Sequence, residues 1–267
     1  MGSNSLLKFS WIIPIGENED GKSIENCLLA LSAIVGKDDQ VIVVAPKNLT
    51  VKVQSLLTKF NCDFLTLAHP VVKRAGAARN LALAHRHHDR IIFQDVDDVP
   101  QKNRRELMAQ LLTQPKTIAT TGYLSFFDGI KIGTRIPKKW NSFFYFRTNI
   151  FLPTSGVFFE PNDDFYFDEI KIGEDTLFFA NLMAHGYSIV SSREITIEYN
   201  ISSKKVASKR GINGIIDEIR FRFRLFGLAK KKKHKTMVLL GGVVFCGLKT
   251  LPTVIFQKLY YFGHRSG

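Results

Sequence analysis

A regular exchange of two periods in the first hundred residues limits most strongly what this chain can fold into. Apolar runs at 9–15 (FSWIIPI), 41–45 (VIVVA), 63–67 and 90–94 predict strands, the second of them strongly β-branched. Between them, 24–35, 51–60 and 76–85 predict helices; Leu28, Leu31 and Ile34 illustrate the helical recurrence. Strand and helix alternating in this way build βαβ units, with a mostly parallel sheet covered by helices on both faces. After Pro100 the pattern loosens. It predicts a helix over 103–112, a strand over 117–125, an aromatic region over 140–167, a helix over 173–185 stopped by Gly186, and a strand over 188–191.

Charge divides the chain differently. Residues 1–200 carry 22 Lys+Arg and 22 Asp+Glu, whereas 201–267 carry 15 and 2, so the whole net charge of +13 lies in the tail. A neutral body without a reader motif argues against a nucleic-acid partner, and a basic tail predicts contact with an anionic membrane surface. Ile212, Ile215, Ile216, Ile219, Phe223 and Phe226 fall at helical spacing among Arg220, Arg222 and Arg224, which predicts a basic amphipathic helix. A run of lysines at 230–233 follows. Residues 237–256 are mostly apolar but include Lys249 and Pro252. A lysine near the centre of a span costs about 2.5–3.5 kcal/mol, so a helix lying in the interface is expected rather than a spanning one.

The three cysteines, Cys27, Cys62 and Cys246, form no CxxC pair, and the first ten residues do not read as a signal peptide. A cytoplasmic protein, peripheral on the cytoplasmic face of a membrane, is the expectation. His85, His87 and His88 lack a second ligand group at matching spacing and are read as a polar helix end.

The chemistry is carried by acidic residues at element boundaries. Asp95-Val96-Asp97-Asp98 directly follows the apolar run Ile91-Ile92-Phe93, and strand ends are where α/β sheets bind ligands. If the segment stays extended, Asp95 and Asp97 share one side. Their hard oxygens suit Mg²⁺ or Mn²⁺ bridging phosphate oxygens. A second acidic pair, Glu174-Asp175, opens the helix predicted from 173; taken alone it also suits the helix macrodipole. An acidic turn that merely caps the helix near Asn103 would explain the first cluster equally well.

The order of motifs resembles the inverting family-2 glycosyltransferases of GT-A fold: Lys73-Arg74-Ala75-Gly76-Ala77-Ala78-Arg79-Asn80, an apolar helix, the DxDD cluster, then Gly173-Glu174-Asp175. The likeness spans about 9–200. It implies a GT-A catalytic domain over 1–203, with a nucleotide-binding half at 9–100 and an acceptor-side half at 101–203, and a helical tail over 204–267. It further implies transfer of a sugar from a nucleoside diphosphate donor, UDP-linked, to a hydroxyl of a glycan or lipid-linked precursor. In that reading Asp95 and Asp97 hold Mn²⁺ or Mg²⁺. Pro14, Glu17, Lys73, Arg74, Arg79 and Asp95 bind the donor, small residues near Gly76 let backbone approach the nucleotide, Asp175 is the general base, and Glu174 positions it or the acceptor. One departure is plain: Ala45-Pro46-Lys47 stands where the family usually has an acidic pair after its second strand.

Two rival readings remain at this level. The run Asp95 to Val99 also fits the nucleophile motif of haloacid-dehalogenase-like phosphatases, with Asp95 attacking phosphorus and Asp97 as acid/base, although three strands precede it. A nucleic-acid-binding protein would rest on the tail alone.

Overall fold

The computed structural model describes residues 7–69, 75–137, 155–161, 163–168, 170, 172–203 and 211–265, with side chains to 259. Its first half is the expected βαβ unit. β1 (Ser10–Pro14) is followed by α1 (Gly21–Ser32), β2 (Gln40–Pro46), α2 (Thr50–Leu57), β3 (Asp63–His69), α3 (Ala75–Leu83) and β4 (Arg90–Phe93). These strands pair in parallel in the order β3-β2-β1-β4. Alternation along the strands feeds two cores. Trp11, Ile13, Val41 and Val43 face one core with α1, α2 and Met108, while Ile12, Ile42 and Val44 face the other with Ala78, Ala82 and Phe178. Asp20 starts α1 by accepting the backbone N–H groups of Lys22 and Ser23 at 3.1 and 3.0 Å.

The second half is mixed. It contains β5 (Val99–Pro100), α4 (Arg104–Leu111), β6 (Thr117–Phe127), β7 (Ile130–Arg135), β8 (Gly156–Phe158), α5 (Glu174–Ala184) and β9 (Ser188–Ile201). β8 inserts antiparallel between β4 and β6, β6 runs parallel to β9, and β5 pairs antiparallel with the far edge of β9. The mostly parallel sheet expected is thus parallel in its first four strands and again between β6 and β9, with β5, β7 and β8 joined antiparallel.

Two elements depart from the sequence expectation. β9 continues to Ile201 through the charged stretch at 193–194, where its register against β6 shifts near Gly122. β7 was not predicted, although Asp128-Gly129, both at positive φ (46° and 81°), forms the two-residue turn of the β6–β7 hairpin.

The tail forms α6 (Gly211–Leu228), α7 (Lys232–Lys249) and α8 (Thr253–Arg265). Phe221, Leu225, Ala229 and Val238 enter the same core as Phe178 and Leu182 of α5. Two expectations for this stretch need correction. The 237–256 run is not one helix: α7 ends at Lys249 and α8 begins after Pro252, which has no N–H to continue the ladder. Lys249, the residue that argued against a spanning helix, is buried, 3.4 Å from Glu218 of α6. Arg222, expected on a solvated flank, is buried too and bonds Glu218 at 2.8 Å. Among the described residues, no helix is long and apolar enough to cross a membrane.

Candidate active site

The strand order places the switch point between β1 and β4, where neighbouring connections leave in opposite directions and open a crevice at the C-terminal strand ends. Pro14 ends β1 at this edge and Glu17 stands exposed in the loop that follows. Asp95 to Asp98 occupy the same edge beyond β4. The segment is a turn and not the extended run that alternation assumed: Asp98 N–H donates to the Asp95 carbonyl at 3.2 Å, and Val96 is buried.

Buried Gln94 braces this turn, donating through Nε2 to the carbonyls of Asp95 and Asp98 at 2.8 and 3.1 Å. Asn200 of β9 closes it from the other side, with Nδ2 on the Asp97 carbonyl at 2.8 Å and its N–H on Asp98 Oδ1 at 2.9 Å. Asp98 is fully buried, whereas Asp95 and Asp97 stay partly exposed. The three carboxylates therefore have different work: Asp98 ties the turn to the second half of the sheet, and Asp95 and Asp97 remain at the crevice. Beneath them Arg104 donates to the Phe93 carbonyl at 2.8 Å, and burial pushes its pKa down to about 10.

α3 joins this turn to the second acidic pair. Arg79, buried, donates to Asp95 Oδ1 at 2.6 Å and to Glu174 Oε1 at 3.5 Å, with its guanidinium 5.3 Å from the Phe167 ring centroid. Burial opposes that charge, but Asp95, Glu174 and Asp175 together outweigh it and raise the Arg79 pKa. Its observed partners are thus the two acidic groups. Asn80 exchanges two hydrogen bonds with the backbone of Phe167, at 2.9 and 2.6 Å. Gly76 has a packing reason to be small: a Cβ there would lie 3.0 Å from the Asp168 carbonyl and 3.3 Å from Glu174 Cγ.

Glu174 and Asp175 open α5 behind Gly173, whose φ of 76° favours glycine. Asp175 Oδ1 accepts the Thr176 N–H at 2.7 Å. Burial, then the neighbouring charge of Asp175, raises the Glu174 pKa to about 7 against the opposing pull of Arg79. The support for this motif comes from far along the chain. A Cβ on Gly173 would lie 2.6 Å from the ring of Phe221 in α6, and Arg224 of the same helix pairs with Asp168.

The structure therefore brings Arg79, Asp95, Glu174 and Asp175 into one network, with Asp97 on the adjoining turn. Lys73, Arg74 and the aromatic cluster Trp140, Phe143, Phe144, Tyr145 and Phe146 lie outside the described residues. Sequence reasoning missed Gln94, Asn200 and Phe221 as supports; only Asn80, within the Ala-Arg-Asn motif, carried a signal. Among the described residues, no three His, Cys, Asp or Glu side chains cluster to hold a metal. The donor set fits an ion that takes one or two carboxylates, here Asp95 and Asp97, and completes its shell with phosphate and water, as Mg²⁺ does.

A doubly wound half ending in an acidic turn at its switch point, joined to a mixed half that supplies a second acidic pair, defines a glycosyltransferase of GT-A fold. The sequence model of glycosyl transferase family 2 matches residues 10–169, and the chain belongs to that family. The matched stretch contains Arg79 and the acidic turn and ends before Glu174. Among solved structures, TarS 1–349 of S. aureus in complex with UDP-GlcNAc aligns with a TM-score of 0.66 at 19% identity, covering 89% of this chain and 72% of that one. The same protein with UDP gives 0.60. The mannosyltransferase PcManGT of Pyrobaculum calidifontis, in complex with GDP-Man and Mn²⁺, gives 0.58 at 12% identity over 96% of this chain and 80% of that one. Likeness at these identities establishes a shared fold. No curated protein matches the chain in sequence. Family membership displaces the phosphatase reading, in which Asp95 would be a nucleophile on a first strand; here it follows β4 and is ion-paired with Arg79.

Proposed function

We propose that this glycosyltransferase moves a hexosyl or N-acetylhexosaminyl group from a nucleoside diphosphate sugar, UDP-linked, to a hydroxyl of a glycan or lipid-linked glycan precursor, with inversion. The observation that carries this reading is the Arg79 bridge, which joins the acidic turn beyond β4 to the Glu174-Asp175 pair. Donor and acceptor chemistry thereby meet at one place. The nucleotides and sugars held by the structural neighbours, and the Mn²⁺ of one of them, support the donor class and the need for a cation.

The donor half, 9–100, seats the nucleotide in the crevice between β1 and β4, with Pro14 and Glu17 at its rim and Lys73 and Arg74 as further phosphate partners. Asp95 and Asp97 would hold Mn²⁺ or Mg²⁺, which would neutralise charge on the departing diphosphate. Asp175 takes the proton of the acceptor hydroxyl as its oxygen attacks the anomeric carbon. The bond to diphosphate breaks on the opposite face, and the configuration inverts. Glu174, bonded to Arg79, fixes where Asp175 stands. The acceptor half, 101–203, frames that hydroxyl, and the tail from 204 keeps the enzyme peripheral on the cytoplasmic face of a membrane.

Calorimetric titration with UDP and UDP-sugars in the presence of Mn²⁺ tests the donor site. Asp97→Ala is expected to weaken binding at least 100-fold, about 2.7 kcal/mol. Binding that ignores both Asp97→Ala and chelation of the metal sinks the assignment. Proton NMR of the product anomer decides inversion.

A further inference from the structure

α6 is apolar on two opposite faces. Phe221 is 2% exposed, Leu225 is fully buried, and both are spent on the core; Ile212, Ile216, Ile219 and Phe223 project on the other side, with Phe223 80% exposed. At 100° per residue these four fall within about 60° of arc, half a turn away from Phe221. α7 repeats the arrangement. Val238 turns inward, while Leu239, Leu240, Val243 and Val244 are exposed, and no charge interrupts the helix between Lys235 and Lys249. The two helices are tied to each other through Glu218, which lies between Arg222 of its own helix and Lys249 of α7. Exposed Arg220 flanks the α6 stripe, and the link to α7 and the first residues of α7 carry exposed lysines from 230 to 233.

We infer that the outward faces of α6 and α7 form a docking platform for an anionic lipid bilayer, and that this platform sets the height of the candidate catalytic pair above the lipid. Apolar ridges bordered by lysine and arginine match the boundary between acyl chains and acidic headgroups. Self-association fits less well, since the +13 charge of the chain is concentrated beside this face and repels a second copy. The membrane thus meets one side of α6 while Phe221, on the other, abuts Gly173 just before Glu174 and Asp175. A helix is about 10 Å across, so an acceptor headgroup anchored in the same bilayer lies within reach of Asp175. This last step rests on the transferase reading; the docking does not.

Sedimentation of the full chain with vesicles of phosphatidylcholine alone, or with 30% (about one lipid in three) phosphatidylglycerol, tests the platform, with UDP and Mn²⁺ titrated in parallel. Partition onto anionic vesicles is expected to exceed that onto neutral ones at least tenfold and to fall with salt. Joint replacement Ile216→Asp, Ile219→Asp and Phe223→Asp should lower it at least tenfold with UDP binding unchanged, as should joint Leu240→Asp and Val243→Asp. These positions are exposed, so both variants should melt as the parent does. Partition that is absent, or indifferent to these changes, overturns the inference. A dimer in analytical ultracentrifugation that the same variants dissolve overturns it in favour of a second copy. Loss of UDP binding in the parent chain with docking retained would instead sink the donor assignment and leave the platform standing.

Discussion

The two acidic motifs differ in what holds them. The Asp95 to Asp98 turn grows from the end of a central strand and is braced by the adjacent Gln94, with Asn200 arriving from β9. The Glu174-Asp175 pair opens α5, and its supports come from elsewhere: Arg79 and Asn80 on α3, Phe221 and Arg224 on α6. A turn on a strand end is placed by the sheet. A pair at a helix start is placed by what packs against that helix, so it is exposed to changes far from the chemistry.

The largest expected effect sets the two motifs apart. Asp175→Asn should lower kcat about 10²–10⁴-fold with donor affinity unchanged, the converse of the Asp97→Ala result. Steady-state rates combined with UDP titration check this, and a weakened donor affinity would break the division between the motifs.

Phe221→Ala separates them next. It opens a cavity under Gly173 and should cost about 3–5 kcal/mol of stability. In the fraction that remains folded, kcat should fall while UDP affinity holds. Equal loss of both would mean that the acidic turn leans on the tail as much as the pair does.

A third test uses pH. Glu174 ionises at about 7 in the folded chain against 4.5 as its ordinary value. A carboxyl whose folded pKa is raised favours folding fully below pH 4.5, and that contribution is lost as pH rises through 7. The whole swing is at most about 3 kcal/mol. Denaturant melts across this window should show the parent chain losing stability relative to Glu174→Gln, in which the slope flattens. A slope that survives Glu174→Gln removes the assignment.

Asn80→Ala should give the smallest change, about 1–3 kcal/mol, by stripping the Phe167 backbone of its two partners. Its activity should fall more than its donor affinity. An Asn80→Asp chain restores only the acceptor and should recover part of the loss.

The same contrast explains how much could be read from sequence. Strands β1, β2 and β4 are legible because burial on both faces makes them continuous apolar runs, and the acidic turn follows directly from where β4 ends. Yet nothing in Asp95-Val96-Asp97-Asp98 says that Asp98 is a brace, because its partner Asn200 lies a hundred residues on. α6 is legible in part. With apolar side chains on opposite faces, periodicity finds the helix and the outward stripe with Phe223, but not the inward stripe with Phe221 that packs on the core. The reach of β9 past Arg193 and Glu194 was hidden because charged residues in a strand only half buried look like a loop.

The buried cluster of Glu218, Arg222 and Lys249 has a consequence for inheritance. Each of the three is about 5% exposed, and the acid stands between two bases from different helices. Loss of Glu218 would strand two cations in the interior and cost several kcal/mol, loss of one base would still leave an ion pair, and exchange of the whole set for apolar residues of similar bulk would cost little. Related chains are therefore expected to keep the acid wherever either base is kept, and a base without the acid should be scarce. That correlation would mark where α7 first became fixed to α6.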